Sequence, residues 1–247
     1  MRVAKIILIT GMLLQGLKAF SAAGGDIPVT NIWINIKPVF GNQPLVLEEK
    51  EYINQHGDTL KVDRFRFYLS SIELVYTNGT VYSENNSYHL VDAEEKASLN
   101  INLTEVPVGE VSSIRFTIGV DSLKSMSGAF GGDLDPSYGM YWAWNSGYIY
   151  AKLEGRSKKC KTHGNGFEFH VGGFSGAENA IRTLELKVND TPTGSPTNII
   201  SIQADVLRWF EGISLAEKNS IVIPGKEAVK LANAYSNMFK IVDNNEK

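Results

Sequence analysis

The side chains best suited to chemistry in this sequence lie between positions 139 and 173. The residues there that could bind a metal are a thioether, two indole rings and two imidazoles: Met140, Trp142, Trp144, His163 and His170. Imidazole and thioether ligands suit copper far better than magnesium or calcium. The same aromatic residues also fit a hairpin whose rings fill a hydrophobic core. Spacing alone favours core packing and leaves the metal site as the alternative.

Strand geometry decides which of these side chains could act together. Residues two apart on a strand project to one face. The segment 141–150 therefore presents Trp142 with Trp144, and the segment 167–171 presents Glu168 with His170. The sequence thus predicts an imidazole and paired indole rings on neighbouring strands.

Signatures of enzymes are missing from the sequence. It contains no GxSxG elbow, P-loop, GxGxxG turn, HExxH or CxxC pair. The spacing of Cys160 and His163 resembles half of a zinc site, but a structural zinc needs four ligands and no second cysteine exists. The sequence therefore predicts a noncatalytic protein in which Cys160 to His163 lie in a surface loop.

The first 23 residues have the pattern of a secretory signal peptide. Arg2 and Lys5 precede a mostly apolar run from Ile6 to Leu17, and small residues at 21–23 offer a cleavage site. No cysteine follows the run, so an acylated lipoprotein anchor is not expected, and no later segment is long enough to span a membrane. We expect a secreted or periplasmic protein.

Charge argues against a nucleic-acid partner. The 247 residues contain 24 basic and 27 acidic side chains. Residues 1–23 hold three of the basic and none of the acidic ones, which leaves a formal charge of −6 on the mature chain. Binding to phosphate backbones depends on clustered Lys and Arg. The one basic cluster, at 156–161, is interpreted as a solvated loop.

Short strands separated by turn residues make up most of the mature chain. The predicted strands are 31–39, 61–76, 80–83, 88–92, 99–103, 112–120, 148–153, 167–171, 182–188 and 199–207. A bulge or bend is expected at Ser70-Ser71 within the longest of them, and Asn78-Gly79 predicts a tight hairpin turn. Many short strands with few helical periods predict an all-β fold, an antiparallel sandwich or barrel, of which we take the sandwich as the expected fold.

One helix is predicted, near the C-terminus. Apolar residues recur at helical spacing from Lys226 to Phe239, so this helix should pack on the sandwich through a wide apolar face. The glycine-rich stretch 125–132 and the loop 191–197 are too short to separate domains. Residues 24–247 are therefore expected to form a single domain.

Five segments, in this order and at this spacing, resemble the MbnP-like domain family, which is named for a periplasmic copper-binding protein associated with methanobactin. The segments are GDTLKVDRFRFYLSSIEL (57–74), FTIGVDSL (116–123), GMYWAWNSGYIYAKLEG (139–155), FEFHVGG (167–173) and ANAYSNMF (232–239). The resemblance spans about residues 29–242. It implies a secreted or periplasmic β-rich protein that binds copper without catalysing a reaction.

In the copper-binding members, histidines are joined by kynurenine, the oxidation product of a tryptophan, whose amine can coordinate the metal. The resemblance places His170 at the family histidine and makes either Trp142 or Trp144 the counterpart of the modified residue. This chain has Glu168 where those relatives have the first histidine of a His-x-His pair. It has Trp144 where they have a histidine two positions after the tryptophan.

The departures leave two functions to compare. The first is a noncatalytic copper-binding protein whose site is reduced or lost around His170. The alternative is an extracellular interaction module that binds a glycan or protein partner through exposed Tyr and Trp rings, which combine apolar area with a polar handle. The direction of the Trp142, Trp144 and His170 side chains separates the two.

Overall fold

The structure, a computed structural model, describes residues 28–144, 147–188 and 198–242. The predicted signal peptide at 1–23 and the loop at 191–197 lie outside the described residues. Within the described part of the chain, no helix is both long and apolar enough to cross a membrane.

Strands dominate the secondary structure. The strands are β1 (Val29–Phe40), β2 (Gln43–Pro44), β3 (Tyr52–Ile53), β4 (Thr59–Tyr76), β5 (Val81–Ser83), β6 (Tyr88–Asp92), β7 (Asn100–Pro107), β8 (Val111–Ile118), β9 (Tyr141–Trp142), β10 (Gly147–Arg156), β11 (Gly166–Gly172), β12 (Arg182–Lys187), β13 (Ile199–Asp205), β14 (Ser220–Ile221) and β15 (Phe239–Val242). The α-helices are α1 (Ser122–Met126) and α2 (Lys226–Tyr235). Short 3₁₀ turns cover Lys96–Leu99, Gly132–Leu134, Pro136–Tyr138, His163–Asn165, Gly176–Glu178, Val206–Phe210 and Ser236–Met238.

Two sheets form the predicted sandwich. The smaller has the order β15-β13-β1-β2, with β7 also paired to β1. The larger runs β12-β8-β4-β10-β11-β14, and β3, β5, β6 and β9 pair onto it. Most pairs are antiparallel, but β1 with β13 and β11 with β14 are parallel. The all-β prediction is confirmed, with these two parallel pairs as an addition.

The long strand β4 organises the larger sheet, as its alternating pattern predicted. Its apolar residues, such as Phe65 and Phe67, are fully buried between the sheets. The predicted bend is present, because Ser71 has a φ of 51° and the register with β8 shifts between Ser70 and Glu73. Because of this bend, β4 changes direction within the larger sheet and remains one continuous strand.

Strand register brings the site residues together. On β10, Lys152 lies between Arg66 of β4 and His170 of β11. The row two residues along the sheet contains Arg64, Glu154 and Glu168. Because these rows are two residues apart on each strand, their side chains share one face of the sheet.

The C-terminal helix packs where it was predicted but ends earlier. In α2, Tyr235 packs against Trp209 with ring centroids 4.8 Å apart and the rings tilted by 36°. The predicted helix to Phe239 is wrong in its last turn, since Phe239 begins β15 and pairs with Ala204. The predicted strand at 199–207 is likewise too long, because the chain turns into a 3₁₀ helix after Asp205.

Candidate functional site

His170 lies on the outer face of the larger sheet. Its neighbours on β11, Phe169 and Val171, are fully buried in the core. The imidazole therefore points away from the core, but its side chain retains only 16% of its exposure. His170 is therefore a mostly covered residue on the outer face of the sheet.

The carboxylate of Glu154 holds this imidazole in place. The Nε2 of His170 lies 2.7 Å from Oε1 of Glu154, and the other carboxylate oxygen accepts a 2.8 Å hydrogen bond from Arg64. The ammonium of Lys152 stands 3.9 Å from Oε1. One carboxylate thus has three nitrogen-bearing side chains around it.

The electrostatics of this cluster are those of a charge network within the protein. The hydrogen bond from His170, assisted by Lys152 and Arg64, lowers the pKa of Glu154 to about 2. Burial lowers the pKa of Lys152, and Glu154 partly opposes that effect. The Lys152 ammonium also donates to the carbonyl of Gly139, which ties the chain before β9 to the sheet. We call Arg64, Lys152, Glu154 and His170 the Glu154 network.

Trp142 covers the same face beside His170. A Cβ placed on Gly172 would lie 2.7 Å from Cζ3 of Trp142. Gly172 is two residues beyond His170 on β11 and so shares its face. The indole is only 6% exposed, because it lies against the strand where glycine leaves space.

Replacement of Gly172 by alanine is expected to lower the free energy of unfolding by about 2 kcal/mol, since the added methyl group must displace the Trp142 ring and the Tyr148 carbonyl, 2.5 Å away. Urea denaturation measures the change. Gly131→Ala is the matched control, because a Cβ there meets nothing within 4 Å. Equal stability of the two variants would contradict the packing of Trp142 on this strand.

The other sequence-predicted metal ligands differ in exposure and in position along the chain from His170. Trp144 is 66% exposed, with its ring centroid 6.1 Å from that of Trp142. Met140 is fully buried. His163 is exposed on the loop between β10 and β11, and His170 lies four residues into β11, roughly 14 Å farther along the strand. The structure therefore groups His170 with Trp142 but not with His163.

These residues do not fit a copper centre. Among the described residues, no group of three or more His, Cys, Asp or Glu side chains could hold a metal ion. The one imidazole is hydrogen-bonded through Nε2, and Arg64 and Lys152 place positive charge around its carboxylate partner. Glu168, at the position of the missing histidine, accepts a hydrogen bond from Ser220 at 3.1 Å.

Sequence reasoning missed the partners of His170. Glu154 and Lys152 lie in the aromatic-rich segment 139–155, and their position in the sequence does not reveal that β11 pairs beside them. The available signal was alternation, because Lys152 and Glu154 are two apart in a strand-like run, as Glu168 and His170 are. Only the pairing register of β10 with β11 shows that the two pairs face each other.

Comparisons with known proteins agree with this architecture. The chain resembles the solved structure of MbnP from Methylosinus trichosporium, with a TM-score of 0.57 and 14% sequence identity. The alignment covers 82% of this chain and 83% of that one. This likeness shows a shared fold. A comparison with curated proteins finds no match. The sequence model of the MbnP family matches residues 29–224, most of the chain, and the protein therefore belongs to the MbnP family.

Proposed function

We propose that this chain is a secreted or periplasmic, noncatalytic MbnP-family protein whose copper site is reduced to the single imidazole of His170. The observation that carries the proposal is the 2.7 Å contact between His170 and Glu154. In a metal site, such a carboxylate would orient the imidazole and leave Nδ1 as the ligand. One such nitrogen is a small part of a copper coordination sphere.

The Glu154 network supports this proposal because its charges are already compensated. Lys152 and Arg64 supply positive charge next to Glu154. These two cationic side chains would repel a copper ion bound at His170, so the ion would have to displace them or bind despite the repulsion. Copper binding at this position is therefore expected to be weak and to resemble binding at any surface histidine.

Titration of the mature protein with Cu(I) and Cu(II) tests the reduced site. We expect the native protein and His170→Ala to take up copper equally weakly. His89→Ala is a matched control, because Nε2 of His89 lies 2.8 Å from Glu84 and its side chain is also mostly covered. The control should behave like both.

Tight copper uptake that disappears in His170→Ala and persists in His89→Ala would contradict the reduced site. It would favour an intact centre in which Trp142 or another group adds ligands.

The signal peptide is tested separately, by the N-terminal sequence of protein recovered from the periplasm or the medium. An N-terminus before residue 20 would contradict export with cleavage at the predicted site.

A second candidate function is favoured by the exposure of Trp144. Its ring is 66% exposed, and Tyr138 on the same connection between β8 and β10 is 46% exposed. Aromatic rings in this condition suit the stacking of a sugar or the docking of a protein. If the chain is an interaction module, Trp144 is the residue on which we expect binding to depend.

A glycan array tests this second function. We expect any glycan bound by the native protein to be lost by Trp144→Ala and retained by Trp33→Ala. Trp33 is the control because its ring is 43% exposed on the smaller sheet. Equal loss in both variants, or none in either, would contradict a role for Trp144 in glycan recognition.

A further inference from the structure

A second site lies at the opposite end of the β10–β11 hairpin from Trp142. The loop 157–165 folds against the start of β4 and leaves a cavity of about 460 Å³. Its side-chain walls are mostly polar and charged: Glu51, Thr59, Lys61, Arg156, Ser157, Lys158 and Asn165. The basic residues at 156, 158, 159 and 161 are all exposed, as expected of a solvated loop, and two of them, Arg156 and Lys158, line this cavity.

Hydrogen bonds fix the walls of this cavity. The buried hydroxyl of Ser157 donates to the carbonyl of Thr59 at 2.6 Å. The backbone N–H of Ser157 donates to the carbonyl of Asn165 at 2.9 Å, and the Thr162 hydroxyl donates to that of Gly166 at 2.6 Å. Cys160, within the loop, is buried. The cavity is therefore built before any ligand enters it.

Some charged side chains of the cavity are already ion-paired and others are not. Arg156 is ion-paired, because its guanidinium makes two 2.8 Å contacts with the carboxylate of Asp63. Lys61 and Lys158 form no ion pair with any described residue. Glu51 is the one carboxylate among the lining residues. Among the described residues, two lysines and one carboxylate that lie outside any ion pair thus line the cavity, and the exposed Lys159 and Lys161 add positive charge on the same loop.

We propose that this cavity binds a phosphate monoester. Such a group carries a charge of about −1.5 to −2 near neutral pH, which two free ammonium groups can match. Lysine binds phosphate as a point charge and needs no bidentate geometry. The volume exceeds what a phosphate group alone requires, so the organic part of the ester has room beside it. Glu51 opposes the bound charge and limits the affinity.

Isothermal titration calorimetry with glucose 6-phosphate, and with glucose as the neutral probe, tests the proposal at low ionic strength. We expect glucose 6-phosphate alone to bind. The double variant Lys61→Gln/Lys158→Gln should bind at least about tenfold more weakly, because two charge-assisted contacts are lost. Glu51→Gln should bind more tightly, since it removes repulsion. Lys240→Gln, an exposed lysine on β15, should be unchanged.

Four results would overturn the proposal. They are no saturable binding of glucose 6-phosphate or of vesicles containing phosphatidic acid, equal binding of glucose, unchanged affinity in the double variant, or weaker binding in Glu51→Gln. Near-UV circular dichroism shows that each variant remains folded. Vesicles containing phosphatidic acid form the second phosphate probe. Binding to these vesicles alone, lost in the double variant, would identify a lipid headgroup as the source of the phosphate.

Discussion

Replacement of Glu154 by alanine is expected to lower the free energy of unfolding by about 3 kcal/mol. The carboxylate is the common partner of three side chains, and its removal leaves the ammonium of Lys152 in a position only 7% exposed. An ammonium that loses its nearest counter-ion in such a place is far more costly than the loss of one surface ion pair. Chemical denaturation at neutral pH measures the difference.

The effect should depend on pH in a definite direction. Contact with His170 lowers the pKa of folded Glu154 to about 2 from a usual 4.5. A lowered carboxylate pKa adds stability that is present above the unfolded value and is lost as pH falls toward the folded one. The stability difference between native protein and Glu154→Ala should therefore be largest above about pH 4.5 and should shrink toward pH 2.

Glu185→Ala serves as the control for this prediction. Glu185 also pairs with an arginine, at 3.0 Å, but its side chain is 46% exposed. Because water screens an exposed pair, its removal should cost much less than the removal of Glu154. Equal losses in the two variants, or a difference that does not change with pH, would contradict the assignment of Glu154 as the centre of the network.

The second large effect is expected from Phe239→Ala, at about 4 kcal/mol. Phe239 belongs to the smaller sheet, yet its ring lies 5.4 Å from that of Phe67 and 5.2 Å from that of Phe116, both in the larger sheet. Truncation would leave a cavity between the two sheets, where the surrounding strands cannot close the gap. Thermal and urea denaturation both report this loss.

Ile223→Ala is the control for the core variant, since Ile223 is 57% exposed. Its truncation should change stability little, because few contacts are lost. A small effect of Phe239→Ala would mean that the C-terminal strand contributes little to the contact between the sheets. That result would contradict the role assigned to β15 in the sandwich.

Much of the fold could be predicted from the sequence because strands signal themselves locally. Alternating apolar residues in 61–76 predicted β4, and the Ser70-Ser71 phase change predicted its bend. The Asn78-Gly79 turn predicted the hairpin into β5. These features depend on neighbours in the chain, so a single sequence contains them.

The errors arose where tertiary contacts override a local pattern. Helical spacing continues to Phe239, but the ring of that residue is needed between the sheets and the chain extends into β15. Likewise, the apolar run 199–207 continues past the strand because Asp205 caps the following 3₁₀ helix through the N–H of Leu207. Local periodicity in the sequence does not reveal the packing of Phe239 between the sheets or the cap formed by Asp205.

The candidate site could be predicted only in part. Alternation correctly predicted that the side chains of Glu168 and His170 lie on the same side of a strand, away from the core. The partner of His170 depends on the pairing of β10 with β11, and register across a loop is not contained in composition or spacing. The sequence therefore does not predict the Glu154 network, which depends on Lys152 and Glu154 lying opposite His170 and Glu168.

Membership of the family does not determine what the residues of the Glu154 network do. The chain belongs to the MbnP family, but a shared fold leaves the chemistry of a site to its own residues. Here those residues form an ion-pair network around Glu154, with Trp142 packed beside it. The scaffold is retained, and we propose that the metal position is reduced.

Native mass spectrometry of the mature protein, isolated from cells grown with copper, tests this claim most directly. A Trp-to-kynurenine conversion would add one oxygen atom and remove one carbon atom, and a bound copper ion would add its own mass. We predict the mass of the unmodified mature sequence, without copper. A modified tryptophan at Trp142 or Trp144, or a copper ion that is lost in His170→Ala, would contradict it.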